Sequence, residues 1–283
     1  MGRVTGIEWA DASVNFWQGC HKVSEGCRNC YMYREKKRFG HDPATVVRSS
    51  DATFNKPLHW KESKKIIVCS WSDFFHDIAD EWRRDALVLM DIADHHRYII
   101  PTKRTHRMIE CLYGEGGSGG YVGVNQHREN VWILASIENQ NVAEERVNEL
   151  LELRKYGNWP VLGLSIEPML GEMIIPRINE IDWVICGGES GPNARPMHPD
   201  WPRSIRDQAV SAGVPFFFKQ WGKWLPVEQL ADDFPTCGDI PVGKYEQYDW
   251  DDYRYSLKVG KKKAGCLLDG TVWDQMPEVI HGM

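Results

Sequence analysis

The 283-residue chain contains no apolar run approaching the roughly 20 residues that a membrane-spanning helix requires. Its N-terminus, MGRVTGIEWADASVNF, has no apolar signal core, and the location this predicts is the cytoplasm. The opening Met-Gly is no myristoylation signal, because Gly6 stands where that motif needs Ser or Thr. Excess positive charge is missing too: 34 Lys and Arg against 40 Asp and Glu leave a net charge of −6. No global basic field recruits a nucleic-acid backbone, which leaves a local groove or a nucleotide-sized substrate. There is no HExxH, no G-x-S-x-G elbow and no GxGxxG after a first strand. Zinc-protease chemistry, α/β-hydrolase chemistry and simple dinucleotide binding therefore lose their usual signatures. GEGGSGGYVGVNQHREN is rich in glycine, but it does not join a strand to a helix start and reads as a surface loop.

Eight cysteines without an export signal point to reduced thiols and a metal rather than disulfides. Five of them, Cys69, Cys111, Cys186, Cys237 and Cys266, are scattered, and Cys69 and Cys186 lie in apolar strand-like runs that suit buried inert thiols. The other three are concentrated in CHKVSEGCRNC, where Cys20, Cys27 and Cys30 are spaced C-x6-C-x2-C and a glycine precedes each of the first two. Three close thiols suit a metal centre with one position open to a non-protein ligand. A structural zinc site wants four protein ligands, and iron–sulfur clusters most often take four cysteines, so the thiols alone leave both open. Thirteen tryptophans serve equally well as core or as base-stacking platforms.

Beyond this loop the chain alternates short β-branched runs with amphipathic ones. A short strand around Val14–Trp17 leads into the cysteines, a helix is expected over Arg28–Phe39, and His41–Ser63 reads as mostly irregular. Strands follow at Lys65–Ser70, Arg97–Thr102, Asn130–Ser136, Pro160–Pro168, Ile181–Gly188 and Val214–Trp221. Helical periodicity separates several of them, including a run from about Glu81 to Asp94 and one with Asp200 as cap and Gly213 as stop. This pattern predicts an α/β fold, a full or partial (β/α) barrel of six to seven parallel strands, with an open doubly wound sheet as the alternative. Residues 1–222 are expected to form the barrel domain, and 223–283 a small irregular appendage packed on it. In the appendage KVGKKKAGCLLDG suggests a hairpin whose basic turn, Lys261–Lys263, is either solvated or a phosphate contact.

Parallel strands gather their C-terminal ends into one patch. Here those ends carry Ser70, Ser72 and Asp73; Thr102, Lys103 and Arg104; Ser136, Glu138 and Asn139; Ser165 and Glu167; Glu189 and Ser190; then Lys219 and Gln220. Strand after strand ending in charge or hydroxyl predicts a polar pocket above an apolar core. GGESGPNARP allows close backbone approach to a ligand beside Glu189 and Arg195, or else a turn held by an internal Glu–Arg pair. His76, after two phenylalanines near a strand exit, is the one histidine kept as a site candidate, while His95 and His96 sit at a helix end.

A three-cysteine loop ahead of a β/α series resembles the radical S-adenosylmethionine superfamily. The typical spacing there is C-x3-C-x2-C, so the x6 gap is a departure, as are Asn29 in place of an aromatic and the missing Gly-Gly-Glu. More specifically, IEWADASVNFWQGCHKVSEGCRNCY, SDFFHD, PTKR, WVICGGESGPNARPM, VPFFFKQWG and LLDGTVWDQMP resemble a three-Cys-motif family of phage and bacterial proteins. The resemblance implies that Cys20, Cys27 and Cys30 hold three irons of a [4Fe–4S] cluster whose fourth iron chelates S-adenosylmethionine. It implies cofactor contacts from Ser70, Ser72, Asp73, Ser136, Glu138 and Asn139. The strand-end residues add Lys103 and Glu167 as cofactor contacts and Lys219 and Glu189 as catalytic candidates, and by their chemistry alone Cys186 is a further catalytic candidate and, with Tyr31, a radical-quenching one. The implied activity is reductive cleavage of S-adenosylmethionine to a 5′-deoxyadenosyl radical that abstracts hydrogen from a nucleic-acid base or nucleotide. Rearrangement, lysis or repair of a modified thymine would fit, with an electron donor such as flavodoxin or ferredoxin, in a bacterial or phage-infected cytoplasm.

Two rivals remain. One is a nucleic-acid-binding protein stabilised by zinc, with His21 or a remote cysteine as fourth ligand. The other is a hydrolase or nuclease that holds a divalent ion with Asp73, Glu138, Glu167 and Glu189.

Overall fold

A computed structural model of the protein describes residues 7–114, 128–230 and 244–278. Most of the glycine-rich loop and Cys237 lie outside the described residues. Seven parallel strands make the central sheet: β1 (Ala12–Val14), β2 (Lys65–Val68), β3 (Arg97–Thr102), β4 (Val131–Ser136), β5 (Val161–Ile166), β6 (Trp183–Gly187) and β7 (Phe216–Gln220). Each pairs with its neighbour in chain order, which gives a curled half-barrel and excludes the doubly wound alternative, whose strand order reverses at a switch point. Between them run α1 (Tyr31–Arg38), α2 (Asp80–Ile92), α3 (Met108–Tyr113), α4 (Gln140–Glu152) and α5 (Asp200–Ser211). Among the described residues no helix is long and apolar enough to cross a membrane.

Strands buried on both faces read as continuous apolar runs, and the period-two alternation decides which face each residue serves. Ile67, Ile99, Trp132, Leu134, Ile185 and Phe217 point to the concave side, where Trp9 and Trp183 join them in one apolar cluster. Their sequence neighbours Ile66, Val68, Tyr98, Ile133, Val184, Cys186 and Phe218 enter the larger core on the other face, together with Ala86, Val147 and Ile205 from the helices. The concave row changes character towards the strand C-termini, where apolar residues give way to Lys103, Ser136, Ser165, Glu167 and Lys219 around a cavity.

Several local expectations shift. The first predicted strand is two short pieces, Ala12–Val14 and Trp17–Gln18, because Trp17 turns away to pair with Arg48. The polar stretch 41–63 is more regular than its composition suggests, with a strand at Val47–Arg48 and helical turns at Asp51–Phe54 and Lys56–His59. Asp200 lies in the first turn of α5 rather than capping it, the cap position being Pro199. In the tail, the basic run forms a helical turn, Lys261–Ala264, and the hairpin comes after it, Leu267–Leu268 against Thr271–Val272. A small antiparallel sheet of Trp224–Pro226, Tyr255–Lys258 and Gln247–Asp249 completes the appendage. Its end returns to the barrel: Phe218 donates to the Trp273 carbonyl at 2.8 Å, and Phe217 bridges Asp274. That return covers β7, the last strand of the sheet, which would otherwise present unpaired backbone groups.

Candidate functional site: a thiol-lined cavity at the barrel mouth

The cysteine loop is laid over the strand C-termini by backbone and hydroxyl contacts. Gly19 donates to the Trp71 carbonyl and Cys20 to that of Pro43, both at 3.0 Å, while the Ser72 hydroxyl donates to the Gly19 carbonyl at 2.5 Å. The Tyr33 hydroxyl donates to the Cys20 carbonyl. A single 3-10 turn, Glu25–Cys27, turns the chain, and Cys30 sits immediately before α1. Cys20, Cys27 and Cys30 are all partly exposed, and all three line one cavity of about 290 Å³.

Burial pushes the Cys20 thiol up to about 12; the Asp73 carboxylate adds to the rise and the Arg104 guanidinium opposes it. The Cys30 thiol is also raised by burial, against which the backbone N–H groups of Met32 and Tyr33 at the start of α1 favour the thiolate. The Cys27 and Cys30 sulfurs each act on the neighbouring thiols. A metal that displaces these protons would gain the stabilisation that water does not provide there. Among the described residues no three His, Cys, Asp or Glu side chains converge on a single ion position. Thiols that each take a separate corner of a cluster need not converge in that way, so this does not weigh against an iron–sulfur centre.

The carboxylates at the strand ends are all engaged, three of them by several donors and one by a single partner. Asp73 accepts from the Thr102 hydroxyl at 2.7 Å, from the Lys103 amide at 2.9 Å and from the Phe75 amide at 3.0 Å, which fixes the β2 and β3 exits to each other. Glu138, at 1% exposure, pairs with Arg146 of α4 at 3.0 Å and accepts the Gly26 amide at 3.2 Å. Glu189 is forked by Arg195 at 2.7 and 2.8 Å and also accepts from Asn29 at 3.0 Å. That donor set lowers the Glu189 carboxyl below its ordinary range, against the effect of burial. Of the two readings of GGESGPNARP, the internal Glu–Arg pair is the one realised, and it clasps the cysteine loop: Asn29 also donates to the Asn193 carbonyl and Arg195 to that of Glu25. Glu189 therefore lines the cavity as a carboxylate already held by Arg195 and Asn29.

Glu167 is the exception, since its partner, Lys219 at 2.8 Å, lies in the cavity with it. Among the described residues the Lys103 ammonium and the Ser136 and Ser165 hydroxyls meet no protein partner, and all three line the cavity. Ser70 and Ser72 also border it, although Ser72 is engaged with Gly19. Asn139 lies outside the lining and caps α4 by accepting from the Asn141 amide.

Two candidates are corrected outright. Cys186 is fully buried on the helix side of the sheet, its sulfur 3.6 Å from that of Met169, because strand alternation sends Ile185 to the concave face and Cys186 away from it. His76 is also fully buried and lies beneath His21, its Nδ1 accepting from the Ile78 amide, outside the cavity lining. Reading the sequence alone missed Arg146 and Asn29. Arg146 sits on the Ala143–Val147–Leu150 stripe of α4, where a charged residue in a buried position signals a partner. Asn29 had no such signal, being one polar residue among several in a loop.

The class these features define is a parallel β/α half-barrel with a three-thiol loop closing over its C-terminal mouth. The chain belongs to the family described as protein of unknown function (DUF5131), whose profile matches residues 4–277. No curated protein and no solved structure matches the chain.

Proposed function

We propose that the protein is a radical S-adenosylmethionine enzyme acting on a nucleic-acid base or nucleotide. The observation that carries this reading is the placement of Cys20, Cys27 and Cys30 on one cavity at the strand C-termini, opposite unpartnered Lys103, Ser136 and Ser165. Cys20, Cys27 and Cys30 would each hold one iron of a [4Fe–4S] cluster and leave the fourth iron open. When bound, the cluster with S-adenosylmethionine would supply reductive cleavage followed by hydrogen abstraction, of the isomerase or lyase kind, with the electron coming from a flavodoxin- or ferredoxin-like donor.

The chain's own residues bind and aim. Lys103 offers a cation to a carboxylate, Ser136 and Ser165 offer hydroxyls to a ribose or amino group, and Tyr31, held by its hydroxyl on the Ser70 carbonyl at 2.7 Å, borders the same space. The Glu189–Arg195–Asn29 clasp keeps the thiol loop seated. Reduced thiols of this kind accord with a cytoplasmic setting.

Anaerobic reconstitution tests the reading. Wild-type chain should take up about four irons and four sulfides and form 5′-deoxyadenosine from S-adenosylmethionine under reduction. Replacing Cys20, Cys27 and Cys30 with Ala should abolish both. One zinc per chain and no sulfide would replace it with the structural-zinc alternative, and magnesium-dependent hydrolysis in air, indifferent to the cysteines, with the hydrolase.

A further inference from the structure

Glu167 and Lys219 extend from β5 and β7, two strands that do not touch. They meet over β6 at Gly187, where an added Cβ would lie 3.1 Å from Glu167 Oε1 and 3.4 Å from Lys219 Cβ. An alanine there would make ordinary contact with Lys219 and press slightly on the Glu167 carboxylate, so the glycine gives the pair room at this point. Both side chains are only about one-sixth exposed (16% and 15%), and both line the cavity. An ion pair so far removed from water is a poor stabiliser compared with apolar packing. Its remaining valences explain its presence better. Among the described residues Glu167 meets only Lys219, and the ammonium meets only Glu167. The second carboxylate oxygen and the remaining donor capacity of the ammonium form no other hydrogen bond or ion pair among the described residues, so an acceptor and a donor lie close together on the cavity lining.

We infer that this pair reads the lactam edge of a neutral heterocycle, a ring C=O beside a ring N–H. The carbonyl accepts from Lys219 while the N–H donates to Glu167. A phosphate or carboxylate in the same place gains Lys219 but faces repulsion from Glu167, so the pair selects against an anionic group at this point. Ile7, Trp9, Ile67 and Pro101 line the same cavity and give the faces of a flat ring an apolar wall. A site built on two complementary hydrogen bonds rejects an analogue that leaves one of its buried groups unpaired. The inference deepens the proposed function by naming the substrate class, and rests on it only for the chemistry after binding.

Titration of the full-length chain with thymidine and inosine, each beside its ring-N-methylated form, tests it, with and without a reconstituted cluster. The unmethylated nucleosides should bind about tenfold tighter or better, as a bidentate contact predicts. The paired variant Glu167→Leu/Lys219→Met, which leaves no orphaned charge, should lose that preference while keeping the wild-type circular dichroism. Either single variant should lose it too. Equal binding of the methylated forms, no binding of either lactam, or a preference that survives in the paired variant overturns the inference. So does competitive displacement by free methionine that depends on the pair, because the site would then read a zwitterion. If the preference appears in a chain that takes up no iron, the lactam site stands and the radical reading falls; a loaded cluster with no preference gives the reverse.

Discussion

Gly26 donates its backbone N–H to Glu138 Oε1 at 3.2 Å, across 112 residues of sequence. One carboxylate thus joins the turn before the second cysteine to the exit of β4, while its other oxygen meets Arg146 Nη1 at 3.0 Å. Arg146 Nη1 also donates to the Ser136 carbonyl at 2.6 Å, so helix, strand end and cysteine turn share one buried node.

Removing the guanidinium from that node strands a carboxylate that is almost wholly buried. Arg146→Met should therefore destabilise the fold by about 3–5 kcal/mol, the usual cost of breaking a buried pair from one side. Urea denaturation measures it. Gly26→Ala should be milder, because the new Cβ meets only side-chain atoms, Glu138 Cδ at 3.1 Å and Lys103 Cε at 3.2 Å, which can move. The alanine variant should keep its unfolding free energy within about 1 kcal/mol of wild type, and a chain reconstituted with the proposed cluster should release iron faster.

Asn29, next to the third cysteine in the chain, ties that end of the loop to the segment after β6. Its amide reaches Glu189 and the Asn193 carbonyl from a partly exposed loop. Asn29→Leu should lower the melting temperature by several degrees, since a neutral hydrogen bond of about 1 kcal/mol and one to the Glu189 carboxylate of about 1.5–3 kcal/mol are at stake. In a reconstituted chain, loss of cluster absorbance to a chelator should quicken several-fold. Arg195→Lys, which keeps the charge but not the fork, should fall between the two.

These contacts mark how far the sequence could be read. The strands were legible because a sheet buried on both faces writes continuous apolar runs, and the pocket because those runs ended in polar residues one after another. The fates of those residues were not legible. Asp73, Glu138, Glu189 and Glu167 look alike in a sequence, yet each of the first three is held by two or more donors, while Glu167 pairs with Lys219 alone at the cavity. Cys186 could have been placed by parity, since Trp183 and Ile185 share the other face, but parity needs a fixed register and strand ends are the least certain feature of a sequence reading. The tail's return onto β7 left no local trace, because backbone pairing across fifty residues has no sequence signature.

The appendage is anchored by Asp269, whose oxygens meet Arg203 at 2.7 Å, Arg206 at 2.7 Å and Gln229 at 2.6 Å. The Arg203 guanidinium, with Gln229 and Arg206, holds this carboxyl well below its usual range. Asp269 has a φ of +53°, a conformation that asparagine tolerates. Asp269→Asn therefore removes the charge without straining the turn. Limited proteolysis should then cut within residues 244–278 sooner than in wild type, with the barrel fragment persisting; an unchanged cleavage pattern would show that Trp273 and Gln275 suffice as anchors.

His76 should impose an acid limit on stability. Burial is the main reason its imidazole is lowered from an ordinary value near 6.5 to about 4, and the nearby Arg104 guanidinium adds to the effect. Between those values the unfolded chain binds a proton that the folded chain refuses, so unfolding gains as pH falls. The contribution to stability is complete above about 6.5 and is lost progressively as pH drops towards 4. His96 and His198 are lowered in the same direction, so the wild-type curve alone does not isolate His76. His76→Asn does: an asparagine oxygen can still accept the Ile78 amide that Nδ1 accepts now, and it does not titrate. Thermal melts from pH 7 to pH 4.5 should show a shallower decline for the asparagine variant. Parallel curves would mean that folding leaves the His76 imidazole unshifted and overturn this account.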